Sequence, residues 1–310
     1  MTRFIALLLL ALSSNALAEA KKPVWVYASV YKEYIAPIEA AFEAEHPDID
    51  VMVFQAGSEK IQAKVEAEQA AKKLQADVLM ISDPFWGSEL ESRGLAVKRP
   101  SVEYQSLLVL ISNSSVPAAE RPKSFKELED ARFKGKVQIA SPLESGTAFA
   151  GVAYLSEKFG WDYFKKLREN DVASSGGNSV VIQKVESGEK KFGIVLLENA
   201  LAAKKRGSPI DVIYPAEGGI PIPSVQIVFE ASQQKAAAIQ FADFVLSKKG
   251  QELLRNGYMY SVRKDVAPPE GAKPFAEASK GATPWTPERI KKVAASAKEI
   301  KKKFATAVLE

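Results

Sequence analysis

Short runs of β-branched and aromatic residues alternate with longer stretches whose apolar positions recur every three or four residues, and this alternation runs through most of the chain. Val24–Ala28 predicts a strand, Tyr34–Glu45 a helix with Ile35, Ile38, Ala41 and Phe42 on one face, Ile49–Gln55 a strand, Lys60–Leu74 a helix and Asp77–Ile81 a short buried strand. That order predicts a largely parallel sheet with helices on both faces. Gln105–Ser112 reads as a long strand leaving this first unit, and Pro117 to Pro122 as loop. A second set follows, with strands at Lys136–Ala140, Phe192–Leu196 and Val212–Tyr214 and helices at Ala148–Phe159, Trp161–Asn170, Val180–Ser187 and Asn199–Arg206. Val225–Glu230 reads as a strand returning to the first unit, followed by helices at Lys235–Ser247 and Gly250–Asn256. The two crossings imply an α/β protein of two lobes joined by a two-strand hinge, with residues 19–108 and 227–310 in the first lobe and 109–226 in the second. The last periodic stretch, Pro287–Val308, is expected to pack on the first lobe through Ile290, Val293, Ile300 and Phe304, leaving its lysines in water.

Residues 1–18 break the pattern. Arg3, the apolar run Phe4–Leu12 and Ala16-Leu17-Ala18 have the charged start, short apolar centre and small-x-small end of a cleavable secretory signal, so the mature chain is expected to begin at Glu19. The apolar run is too short to span a bilayer. The 310 residues include no cysteine, which removes both a lipid-bearing residue after the cleavage point and any disulfide. A soluble, monomeric, periplasmic product is expected. Losing Arg3 lowers the formal net charge from +4 to +3, a near balance without the clustered basic surface of a nucleic-acid binder. With 46% hydrophobic residues the chain must be held by apolar cores, and its length implies two domains.

A series of short motifs occurs in order over nearly the whole mature chain: Trp25-Val26-Tyr27-Ala28-Ser29, Phe42-Glu43-Ala44-Glu45-His46-Pro47-Asp48-Ile49, Ala76-Asp77-Val78-Leu79 with Ser82-Asp83, Phe133-Lys134-Gly135-Lys136-Val137, Ser145-Gly146-Thr147, Ser175-Gly176-Gly177-Asn178-Ser179 with Val185-Glu186-Ser187-Gly188-Glu189, Leu246-Ser247-Lys248-Lys249-Gly250-Gln251 and Tyr260-Ser261-Val262-Arg263-Lys264-Asp265. Together they resemble the periplasmic solute-binding proteins of ABC importers, in the class II group that includes ferric-ion, thiamine, phosphonate and phosphosugar binders. The resemblance implies the two-lobed class II periplasmic-binding-protein fold and closure of a cleft over a small solute. It also implies delivery to an ABC permease in the inner membrane, without catalysis and without a cofactor.

In open α/β sheets, ligands sit beyond the carboxyl ends of strands, where loops feed helix N-termini with unpaired N–H groups. This chain puts small hydroxyl or glycine residues at five such junctions: Ser29, Gly57-Ser58, Ser82, Ser145-Gly146-Thr147, and Ser174 to Ser179 through Ser175, Gly176, Gly177 and Asn178. Glycine lets a ligand approach the backbone, and serine and threonine add rotatable donors. With the helix dipoles these groups favour an oxygen-rich anion such as a phosphate or phosphonate. At any single junction the same residues serve equally as helix caps.

In the ferric-ion relatives an adjacent tyrosine pair follows the strand that here reads Phe192–Leu196, and this chain has Leu197-Glu198 in that place. Leucine cannot ligate a cation, so no metal site is expected. Tyr31 and Asp83 stand where the histidine and acid of many such sites would be. Asp83 and Glu198 could accept an amine or hydroxyls of a ligand, which suits an aminoalkylphosphonate or a sugar phosphate. Asp83 could equally cap a helix. Trp86 either walls the pocket or is buried in its lobe, and His46 lies in a surface turn with no ligand role. No nucleophile elbow, phosphate loop or metal-binding helix is present, so no enzyme is expected. The alternatives left open are a ferric-ion, thiamine or polyamine binder, and a ligand sensor docking on a receptor kinase.

Overall fold

A computed structural model describes residues 21–310, and the expected secretory signal lies outside the described residues. The chain opens as β1 (Lys22–Ala28), α1 (Lys32–Glu45), β2 (Ile49–Gln55), α2 (Ser58–Ala70), β3 (Val78–Ile81) and α3 (Pro84–Ser92), with β1 parallel to both β2 and β3. β4 (Val102–Asn113) leads into β5 (Val137–Ile139), α4 (Gly146–Phe159), α5 (Trp161–Glu169), β6 (Ala173–Ser174), α6 (Asn178–Glu186), β7 (Phe192–Leu196), α7 (Leu197–Lys205) and β8 (Ile210–Ile213). β9 (Ile220–Val228) returns, and α8 (Lys235–Leu246), α9 (Lys248–Asn256), β10 (Tyr260–Ser261), α10 (Phe275–Ala278), α11 (Pro287–Ala295) and α12 (Ala297–Phe304) follow.

The two crossing strands are neighbours. β4 and β9 pair antiparallel from Val102 with Val225 to Leu108 with Ile220, joining the two halves into one sheet of ten strands with the main order β2-β1-β3-β9-β4-β7-β5-β6. β9 continues against β3 through Val225–Val228, and β4 against β7 through Leu108–Ser112. Each half has its own core, built around Val26, Phe42 and Phe241 on the β1 side and around Phe133, Phe149 and Phe164 on the β7 side.

Three departures from the sequence expectation bear on how the halves are joined. β9 begins at Ile220 rather than Val225, running through Pro221 and Pro223, where it has β4 on one flank and no strand on the other. A missing N–H on the open flank costs no ladder bond. α3 was not anticipated. It is started by Asp83, whose carboxylate accepts from the N–H groups of Phe85 and Trp86, each at 3.0 Å, with Pro84 in the first turn.

The C-terminal stretch is the third. It is not one helix on the first lobe but two, broken at Ser296. Val293, Phe304 and Val308 share a core with Phe85 of α3 and with Phe149 and Phe164 of α4 and α5, so the segment crosses from one half to the other. An apolar stripe specifies that a helix face is buried, not which neighbour buries it.

Candidate functional site

Between the halves lies a cleft of about 270 Å³, and most of the loops that wall it follow the end of a strand. Ser29, Val30 and Tyr31 follow β1, Gly57, Ser58 and Lys60 follow β2, and Ser82 follows β3. From the other half come Glu144–Thr147 after β5, Gly177–Ser179 after β6, and Glu198 with Asn199 after β7. Five helices start at it: α4 is capped by Ser145 Oγ, which accepts from the Ala148 N–H at 3.4 Å, while α1, α2, α6 and α7, with Tyr31, Gly57, Gly177 and Leu196 at their N-caps, have no side-chain cap bond. At α1, α2 and α6 the first N–H groups and partial positive charges are therefore open to the cleft, whereas at α7 the Glu198 carboxylate already takes its own N–H.

Several anticipated residues are already engaged with each other. Thr147 Oγ1 lies 3.0 Å from Ser145 Oγ and accepts from Asn178 Nδ2 at 3.0 Å, while Asn178 Oδ1 accepts from the Leu196 N–H at 3.2 Å. That chain locks the starts of α4 and α6 to the end of β7. Ser29 Oγ accepts from the Ser82 N–H at 3.0 Å, and the Ser82 hydroxyl lies 3.1 Å from that of Tyr104. Glycines from both halves let the two sides approach closely at the seam. A Cβ on Gly146 would sit 3.1 Å from Ser58 Cβ, and one on Gly57 would sit 3.3 Å from the Glu144 carbonyl oxygen.

Three anticipated residues do not line the cleft: Asp83, Ser175 and Gly176. Asp83 is spent as the α3 cap, and burial outweighs those two hydrogen bonds in pushing its carboxyl up to about 6. Ser175 Oγ is beside Gln138 Nε2 at 3.3 Å. Gly176 has φ +59°, and its N–H donates to Glu144 Oε1 at 3.0 Å, so its role is in the turn. Trp86 is buried within the β1 half, and His46 stacks on Phe42 with ring centroids 4.5 Å apart.

Sequence reasoning missed Lys60, Tyr34, Tyr104, Glu144 and Asn199, all of which line the cleft. Lys60 is the one cation among the lining residues, and it sits in the first turn of α2, where side chains lean back toward the helix start. Glu198, in the first turn of α7, is buried and accepts from Ser106 Oγ at 2.6 Å. Burial raises its carboxyl to about 7, against the opposing bonds from Ser106 and its own backbone. Burial likewise raises the phenols of Tyr31, Tyr34 and Tyr104, which are therefore neutral donors.

Residues 24–259 match the family described as bacterial extracellular solute-binding protein. An uncharacterized protein of Haemophilus influenzae is 29% identical over 279 residues, covering 80% of each chain. A Salmonella typhimurium protein, provisionally named a 2-aminoethylphosphonate-binding periplasmic protein, is 27% identical over 72% of this chain and 74% of its own length. Among solved structures, the periplasmic binding protein AfuA of Actinobacillus pleuropneumoniae with fructose-6-phosphate bound superposes with a TM-score of 0.81 at 22% identity, covering 94% of this chain and 99% of that one. Iron-bound HitA of Pseudomonas aeruginosa gives 0.78 at 22% identity over 91% and 99%. These structural likenesses establish the fold, a class II periplasmic-binding-protein architecture.

Proposed function

The chain belongs to the bacterial extracellular solute-binding proteins, non-enzymatic components of ABC transporters, and we propose that it captures a small zwitterionic phosphonate or phosphate ester in the periplasm for a membrane permease. The observation that carries this reading is the mixture of groups that meet in the cleft. It combines uncapped helix starts, Lys60 and the hydroxyls of Ser58, Ser145, Thr147 and Ser179 with the single buried carboxylate of Glu198, close to Tyr31 and Tyr104. The open starts of α1, α2 and α6, about +0.5 charge each, together with Lys60 outweigh Glu144 and Glu198, so the site as a whole favours an anion. Glu198 then suits a ligand amine. The relatives named for 2-aminoethylphosphonate support this chemistry, and a cleft of about 270 Å³ suits a compact solute.

In this reading the two halves of the sheet are lobes that close by bending β4 and β9. A solute touching both lobes favours the closed form, because its contacts are complete only there. Ferric-ion binding is disfavoured by Leu197-Glu198, since buried Leu197 offers no oxygen.

Native mass spectrometry of protein purified without refolding tests what is retained. Isothermal titration with 2-aminoethylphosphonate, ethylphosphonate, fructose-6-phosphate and ferric citrate then ranks the classes. The amine-bearing phosphonate is expected to bind at least about tenfold more tightly than ethylphosphonate, the size of one charge-assisted hydrogen bond. Equal affinities would remove the role of Glu198, and a visible tyrosinate-to-iron band would overturn the anion reading.

A further inference from the structure

The segment after β10 touches both halves of the molecule. α11 packs on α3 of the β1 half, whereas α12 and the turn at Ala305–Leu309 pack on α4 and α5 of the other. The Trp285 ring lies 5.1 Å from Phe85 and 5.9 Å from Tyr154, and its indole N–H donates to the Pro221 carbonyl on β9 at 2.8 Å. Arg289 of α11 donates to Glu157 of α4 at 2.6 Å. Between the two anchorages, Ser296 interrupts the helix and supplies a joint.

Beyond that joint, Lys301 lies over the Phe149 ring of α4, 5.0 Å from its centroid, and donates to Glu59 Oε2 of α2 at 2.7 Å. Both side chains are largely shielded, at 23% and 16% exposure, so this pair is screened less than an exposed one. Glu59 sits between Ser58 and Lys60, which line the cleft, and Ser58 faces Gly146 across the seam between the halves. Asp83, capping α3, also feels the charges of Glu59 and Lys301.

We propose that α11 and α12 form a strap behind the cleft and that the Lys301–Glu59 ion pair holds the lobes closed, making Lys301 a positioning residue for solute retention although it lines no part of the cleft. The inference rests on the reading that the lobes close over a solute. An interaction present only in the closed arrangement shifts the open–closed equilibrium by its own free energy, and the apparent dissociation constant follows the closed fraction. The same pair fixes the start of α2, so its loss also loosens the wall that carries Lys60.

Lys301→Met keeps the aliphatic stem over Phe149 and removes the charge, and Glu59→Gln keeps the shape of its partner. Each is expected to weaken 2-aminoethylphosphonate binding by about three- to tenfold with a faster off-rate, and the double variant to be no weaker than the worse single, as for two members of one interaction. Small-angle scattering of the ligand-free proteins is expected to show a larger radius for both variants, a readout independent of which solute binds. Lys303→Met, which removes only an exposed pair with Glu299, is expected to match the wild type. Scattering of folded Glu59→Gln that is identical to wild type overturns the proposal. So does an unchanged off-rate in that variant for a wild type that binds, and if Lys301→Met fails to fold, Glu59→Gln decides alone.

Discussion

α3 and α6 both start just after a strand that ends near the cleft, yet only α6 presents its first turn there. α3 begins Asp83-Pro84, and the Asp83 carboxylate has taken the N–H groups of Phe85 and Trp86. α6 begins after Gly176-Gly177, which have no side chains to fold back, and no side chain caps it. Gly177 has φ −102° and a Cβ placed there meets nothing within 4 Å, whereas Gly176 is held by its positive φ and by Val180, 2.5 Å from where a Cβ would be. A helix start becomes a candidate site when the chain leaves it uncapped and space lies in front of it.

The strongest way to break this comparison is Gly177→Val. Its backbone is ordinary and its surroundings are open, so the fold is expected to survive while the branched side chain fills the cleft. Solute affinity should fall by more than about a hundredfold, far beyond one hydrogen bond. Titration calorimetry beside circular dichroism checks it, and wild-type binding by a folded variant would make the loop a mere turn.

Lys60→Ala is expected to cost about ten- to a hundredfold in affinity, the range of one charge-assisted hydrogen bond, and to flatten the salt dependence of binding. Titrations at two ionic strengths measure both.

Glu198 sharpens the comparison through pH. Its carboxyl titrates at about 7 in the folded protein, so affinity for an amine-bearing phosphonate should drop below pH 7 by up to about tenfold per unit relative to ethylphosphonate. Glu198→Gln should remove that difference. For stability the sign is opposite to that of a salt-bridged acid. A raised folded pKa contributes stability that is full below the ordinary carboxylate value of 4.5 and is lost as pH rises through about 7. Above pH 7 the ligand-free Glu198→Gln protein should therefore gain up to about 3 kcal/mol over wild type, read from melting curves against pH.

Asp83→Ala inverts the outcome of the Gly177 change. It should cost about 1–2 kcal/mol of stability, the worth of a cap, while solute affinity stays within about threefold. A large affinity loss at unchanged melting temperature would put Asp83 back in the site. Ser175→Ala should do least, within about twofold in calorimetry, because its hydroxyl faces Gln138 outside the cleft.

Much of this was legible in the sequence. Strand and helix periods placed the elements around Ile49–Gln55 and Phe192–Leu196 at their observed bounds, and the small polar residues after strands pointed to Ser29, Ser58, Ser145, Thr147, Asn178 and Ser179. Lys60 was not legible, because a lysine in an exposed-looking helix reads as a solvated face. Tyr104 falls just before the strand expected at Gln105–Ser112 and carries no signal of its own, and Glu144 looks like any loop acid.

The sequence by itself determined the type and order of the elements and the supply of donors at strand ends, because periodicity, caps and turn residues act over a few neighbouring positions. Only the tertiary structure decided which donors stay unspent and which residues meet across the molecule. Asp83 and Gly177 differ in whether a helix start is already satisfied. Glu144 reaches the Gly176 N–H, and Lys301 reaches Glu59, through contacts between segments far apart in the chain. Such contacts depend on how the packed halves present their surfaces, and no local pattern of residues encodes that.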